Sequence, residues 1–199
     1  MLKIRKGGHR DLEKYYGLME IDFDSAELIG KLSLHRAISK GEAELLIVFD
    51  EESSLEVAYA LMLPRSLYGY ALMKYMAVVP WLRGRGLGIE TMRLINKRYA
   101  DRQGIVAELT EFDDPEPDHL KKLMKFFSRF GYNEIDCDYR ISGTTAHVFV
   151  KPIRGEWDIL PVYHRILADF YSRVLTPAAM SRMLDISPAP RAAGEKHEG

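Results

Sequence analysis

The stretch Tyr75-Met76-Ala77-Val78-Val79-Pro80-Trp81-Leu82-Arg83-Gly84-Arg85-Gly86-Leu87-Gly88-Ile89 decides how this chain folds. Its first part is apolar, like a buried strand, and Pro80 ends further ladder pairing because it has no N–H to donate. Arg83 and Arg85 then alternate with Gly84, Gly86 and Gly88, and a helix begins near Leu87. Glycine lets a backbone approach an anion closely, and a helix start offers unpaired N–H groups and partial positive charge. A strand, a Gly/Arg turn and a helix start together predict a cradle for a phosphorylated cofactor. The spacing is not the Gly-x-Gly-x-x-Gly of dinucleotide-binding folds, and no early βαβ unit surrounds it.

Working outward, residues 2–5 alternate like a first strand, and 11–23 carry Leu12, Tyr15, Tyr16, Met19 and Phe23 at helical spacing. Asp24-Ser25-Ala26-Glu27 has the form of a capping box, so a second helix is expected with Leu28, Ile29, Leu32 and Ile38, ending at Gly41. Residues 44–49 and 55–63 flank a polar turn and predict a hairpin, and 70–79 a third strand. The helix from Leu87 shows Ile89, Met92, Ile95 and Tyr99 on one face and stops by Gly104; 105–110 is a strand. The acidic, proline-containing 112–118 is a loop, and a helix from about Asp118 shows Leu120, Leu123, Met124, Phe127 and Phe130 before Gly131. Residues 132–141 and 144–150 predict a last strand pair around Ser142-Gly143. Tyr163, Ile166, Leu167, Phe170, Tyr171, Val174 and Leu175 make an amphipathic helix, and Thr176-Pro177 caps a further short one. The order β-α-α-β-β-β-α-β-α-β-β implies a mixed α/β sheet, largely antiparallel and not doubly wound, with a helical extension.

The chain has 199 residues, 47% of them hydrophobic, and a formal net charge of -1. That is enough for a core, and no global field draws the chain to nucleic acid or to a membrane. Cys137 is the single cysteine, so neither an intrachain disulfide nor a cysteine metal cluster is expected. A reducing cytoplasm is the simplest compartment. The start of the chain lacks the apolar segment of a signal peptide. No apolar run approaches the ~20 residues of a membrane span. The six histidines have no metal-ligand spacing, and no metal is expected.

Arg83-Gly84-Arg85-Gly86-Leu87-Gly88 resembles the Arg/Gln-x-x-Gly-x-Gly/Ala signature of the GCN5-related N-acetyltransferases (GNAT), preceded by 76–80 in the manner of that family's fourth strand. Phe126-Phe127-Ser128-Arg129-Phe130-Gly131-Tyr132 resembles the family's later helix-end motif, and the strand order agrees. The resemblance covers roughly residues 1–150. It implies an acyl-CoA N-acyltransferase fold, mostly antiparallel and splayed between the fourth and fifth strands, over residues 1–153. Beyond it, 154–186 form a helical extension packed on the domain or at a homodimer interface, and 187–199 a disordered tail.

The resemblance further implies acetyl-CoA as donor and a primary amine, on a small molecule or a peptide, as acceptor. Backbone N–H groups of Arg83, Gly84, Arg85, Gly86, Leu87 and Gly88 would hold the pyrophosphate. Ala77, Val78 and Val79 would pair with pantetheine as a strand would. Phe127 would lie against the cofactor, where the family often has a catalytic tyrosine. For the base, Glu108 and Glu111 are the candidates, on opposite faces if the strand reaches Glu111. Glu108 is favoured because 107–109 resemble the family's Leu-Glu-Val. Tyr132, Tyr139 and Tyr75 are the alternatives for the acid. Asp22, Asp24 and Glu27 fall where the family often builds its acceptor gate, and serve equally as caps. Phe127 also keeps a second reading open, a CoA-binding regulatory or scaffolding module without turnover. A cationic-acceptor collar at Glu111, Asp113, Asp114, Glu116 and Asp118 competes with a plain acidic loop.

Overall fold

The structure is a computed structural model that describes residues 1–111 and 118–187. Asp113, Asp114 and Glu116 of the acidic segment and all of 188–199 lie outside the described residues.

The elements follow in the order β1 (Leu2–Lys6), α1 (His9–Asp22), α2 (Lys31–Ser39), β2 (Glu44–Asp50), β3 (Glu56–Leu63), β4 (Ala71–Val78), α3 (Leu87–Arg98), β5 (Gly104–Thr110), α4 (His119–Arg129), β6 (Asn133–Ile135), β7 (Tyr139–Ile141), β8 (Thr144–Pro152), α5 (Tyr163–Ser172), α6 (Pro177–Met183) and β9 (Leu184–Ile186). The strands form one open sheet in the order β1-β2-β3-β4-β5-β8-β7-β9, with β6 also on β8. Every described pairing is antiparallel except that of β4 with β5. The mixed, mostly antiparallel sheet flanked by helices is the expected one.

Each face of the sheet is covered by its own helices. One core gathers Leu12, Tyr15 and Met19 of α1, Leu34 of α2, and Tyr163, Ile166, Leu167, Phe170 and Tyr171 of α5 against the sheet. The other gathers Met92 and Ile95 of α3 and Phe127 of α4. The stripe on α5 is thus consumed within the chain: those five residues are at most 1% exposed. Full burial of a large apolar side chain contributes about 1.5–3 kcal/mol, so the extension is held firmly.

Four expectations need correction. Asp24 does not start a helix: its Oδ1 accepts the Ala26 N–H at 2.7 Å and its carbonyl the Glu27 N–H at 3.1 Å. This local turn competes with helix capping, and α2 begins only at Lys31, after Gly30. On α3, Met92, Ile95 and Tyr99 face inward as expected, but Ile89 is 38% exposed and Thr91 is buried in the first turns instead. The strand expected over 132–141 is two short ones, β6 and β7, both laid on β8 and interrupted at 136–138. Finally, β9 follows α6 directly and pairs with β7, which sequence periodicity over three residues could not reveal.

Among the described residues no helix is long and apolar enough to cross a membrane.

Candidate active site

The central opening lies between β4 and β5. Their pairing consists of Ala71↔Ile105, Leu72↔Val106 and Met73↔Ala107, although β4 continues to Val78 and β5 to Thr110. On its other edge β5 stays paired with β8 as far as Thr110↔Ala146. The strands therefore part after Met73. The next residue, Lys74, is the extra residue of a β-bulge: Leu61 faces Tyr75 and Met62 faces Met73, with nothing opposite Lys74. A bulge bends its strand and increases the twist, which carries β4 away from β5.

Hydrogen-bond alternation then sets what faces the gap. Val79 N–H donates to Val57 O on the β3 side at 2.9 Å. Main-chain groups alternate along an antiparallel strand, so those of Met76 and Val78 point to the opposite, open edge, while Ala77 and Val79 face β3. Val78 O accepts Arg83 Nε at 3.1 Å.

Below the opening is the Gly/Arg turn. Gly84 (φ 77°) and Gly86 (φ 75°) both adopt the left-handed region that strains other residues. Nothing lies within 4 Å of where a Cβ would stand on either. The N–H groups of Gly84, Arg85, Gly86, Leu87 and Gly88 make no hydrogen bond to the described residues. The turn is thus an open concavity of free donors at the start of α3, and the residues present fit a pyrophosphate. The two arginines differ. Arg83 is paired with Asp22 at the end of α1, and Asp22 also accepts Tyr59 Oη at 2.7 Å. Arg85 is exposed and makes no ion pair with the described residues.

Across the gap the structure is closed and charged. Lys74 Nζ donates to Glu108 Oε2 at 3.0 Å, with both side chains 1% exposed. Tyr171 Oη donates to the same oxygen at 2.5 Å, and Tyr139 Oη to Glu108 Oε1 at 3.0 Å. The Lys74 ammonium lies 5.3 Å from the Tyr75 ring centre and 5.6 Å from that of Tyr171. Burial, and then the Glu108 charge, push both the Tyr139 and Tyr171 hydroxyls well above the ordinary tyrosine pKa, so they act as donors. Glu27, on the 24–30 loop, is close enough to feel the Lys74 and Glu108 charges, and its Oε2 accepts Thr110 Oγ1 at 3.1 Å. Burial raises its carboxyl above the usual carboxylate range, and nearby Lys74 opposes this only in part. Tyr75 pins the loop, donating to Glu27 O at 2.7 Å and accepting Ile29 N–H at 2.9 Å. Ser142 Oγ donates to Ala26 O at 2.6 Å.

Of the residues singled out by sequence, Glu108 is at the gap. Glu111 is on the other face, its carboxylate 2.6 Å from His147 Nε2, while His147 Nδ1 meets Glu134 at 2.5 Å. Tyr132 is also on that face, buried against Phe127 edge-on and donating to Asn96 Oδ1 at 2.9 Å. Phe127 is buried against Tyr132 and Phe149; its neighbour Phe126 reaches the start of α3, its Cζ 4.0 Å from where a Cβ on Gly88 would stand. Tyr75 fastens the 24–30 loop to β4. Sequence reading missed Lys74 and Tyr171 as members of the cluster. The available signal was a lysine inside an apolar β4 and a glutamate inside an apolar β5, since charges in buried strands come in pairs.

The fold as a whole superimposes on solved structures. A protein assigned to the GNAT acetyltransferase family from Bacteroides thetaiotaomicron superimposes with a TM-score of 0.66 at 18% identity, covering 85% of this chain and 96% of that one. This chain has the GNAT fold. Arabidopsis thaliana NAA60 in complex with acetyl-CoA shares the GNAT fold with a TM-score of 0.58 at 12% identity, over 78% of this chain and 100% of that one. The Escherichia coli ribosomal-protein-S18-alanine N-acetyltransferase gives 0.56 at 13% identity, over 80% and 98%. No family model matches the sequence, and no curated protein sequence matches it.

Proposed function

We propose that the chain is an N-acetyltransferase that moves an acetyl group from acetyl-CoA to a primary amine of a small molecule or peptide by direct attack. The observation that carries this reading is the parting of β4 and β5 beside five free N–H groups at 84–88. The free donors and the left-handed Gly84 and Gly86 would take the pyrophosphate, and exposed Arg85 would add charge to it. The open main-chain edge of Met76 and Val78 would pair with the pantetheine amides. The same N–H groups would stabilise the thioester oxygen as it gains charge. The acidic residues across the gap, Glu27 and Glu108, would attract the ammonium of the acceptor, and one carboxylate there would take its proton. Among solved proteins of this fold, Arabidopsis thaliana NAA60 has been solved in complex with acetyl-CoA and another is a ribosomal-protein-S18-alanine N-acetyltransferase, which supports donor and acceptor classes of this kind.

Titration calorimetry with acetyl-CoA tests the donor. Binding that is lost in Gly86→Trp is expected; no binding at millimolar ligand removes the reading. Thiol release with a panel of amines tests transfer. Phe127, where the fold's relatives often carry a tyrosine, favours a second reading, a CoA-binding module without turnover. Binding with no thiol release from any amine would establish it. A thiolate near pKa 8.5 leaves tolerably without an acid, so the phenylalanine does not preclude transfer.

A further inference from the structure

Two carboxylates face the splay, and their surroundings differ. Glu108 is enclosed: three donors fall on its two oxygens, one of them a buried ammonium. To take a proton it would have to give up Lys74 and leave that cation buried alone, which is a costly state. Glu27 receives a single side-chain hydrogen bond, from Thr110 at the end of β5. It sits on a loop, not in the sheet; as whole residues Glu27 and Glu108 are equally buried, at 9% exposure each, so what separates them is their hydrogen-bond partners.

We infer that Glu27 is the residue that takes the proton from the acceptor amine, while Lys74, Tyr139 and Tyr171 hold the nearby Glu108 in place. The inference rests on the reading of the chain as an amine acetyltransferase. The acceptor ammonium gives one proton to the Glu27 carboxylate. The freed nitrogen lone pair forms the N–C bond to the acyl carbon as the C–S bond breaks. The second nitrogen proton leaves with the departing sulfur, and Glu27 returns its own to water. Lys74 and Glu108 cancel each other's charge, so the electrostatic character of the chamber is set by Glu27. The charged and titratable groups around Glu27 are Lys74 of β4, Glu108 of β5, Asp24 of its own loop and Tyr75. Burial that raises the Glu27 pKa above the ordinary carboxylate value is in the direction that suits a general base.

The test begins without substrate. Carbon-13 NMR titration of glutamate-labelled protein is expected to show one carboxyl titrating above the ordinary range, and Glu27→Gln to remove that signal alone. Calorimetry with acetyl-CoA on the wild-type chain follows, then thiol release with an accepted amine from about pH 5 to pH 9. Glu27→Gln should lower kcat by roughly 10²–10⁴-fold with KM for acetyl-CoA unchanged and the acidic limb of the profile lost. Glu27→Asp should restore part of the rate. Glu27→Gln with kcat within a few fold of wild type overturns the assignment while the acetyltransferase reading stands. Failure of the wild-type chain to bind acetyl-CoA, or to transfer from it to any amine, overturns both.

Discussion

The two sides of the splay are built on opposite plans. The donor side, from Met76 to Gly88, is made of main chain: exposed edges of Met76 and Val78 and five free N–H groups over two left-handed glycines. The acceptor side is made of side chains: Lys74, Glu108, Tyr139, Tyr171 and Glu27, brought from β4, β5, β7, α5 and a loop, and nearly sealed from solvent. A main-chain site depends on glycine and on strand geometry, and tolerates changes at other positions. A buried polar cluster depends on every member, because each group removed leaves its partner unsatisfied.

The contrast can be broken most forcefully at Glu108. Glu108→Ala leaves the Lys74 ammonium and two tyrosine hydroxyls without their acceptor in a closed interior, and should cost roughly 3–5 kcal/mol in denaturant unfolding. A loss below 1 kcal/mol would mean that water enters the cluster. Tyr171→Phe removes one hydrogen bond to a charged group and should cost about 1.5–3 kcal/mol. That result would show the C-terminal extension to be part of the acceptor side. On the donor side, Gly86→Trp places a side chain at φ 75° and should cost about 1–2 kcal/mol while abolishing acetyl-CoA binding by calorimetry. Arg85→Ala should leave stability within about 0.5 kcal/mol. Its acetyl-CoA affinity should fall a few fold, and less so at high salt.

A pH experiment sharpens the same contrast. The Glu27 pKa is raised in the folded chain above its ordinary 4.5. A raised carboxyl holds its proton better when folded, so its contribution is present below the unfolded value and is lost as pH rises through the folded one. Glu27→Gln, which does not titrate, should therefore melt above the wild type at pH 8, and the gap should shrink as pH falls toward 4. An unchanged gap would place Glu27 in water.

The donor side was legible in sequence because its parts are contiguous: an apolar strand, a proline, glycines at alternate positions and a helix start need no tertiary knowledge. The sheet order was legible for the same reason, from hairpins and crossovers along the chain. The acceptor side was not. Tyr171 read as one member of an apolar stripe, and helical periodicity says nothing about where a hydroxyl points. Lys74 lies in an apolar strand with nothing local to mark its role, yet its ammonium is the partner of the carboxylate chosen on β5. Glu27 read equally as part of an acceptor gate or as a cap, because Asp24-Ser25-Ala26-Glu27 fits a capping box, and only the turn closed by Asp24 itself reveals that no helix starts there. Glu111 and Tyr132 lie on the far face because strand parity and the split of β6 from β7 place them there.

Lys74 also makes the length of β4 a constrained quantity. Loop segments such as the polar turn at 50–54 can gain or lose a residue at small cost, but one residue removed at position 74 would take out the bulge. The two strands would then have no reason to separate where they do, and their ladder could run on past Met73↔Ala107 into the space where a substrate must pass. Most substitutions at the opening alter its chemistry; a one-residue deletion there would alter whether there is an opening.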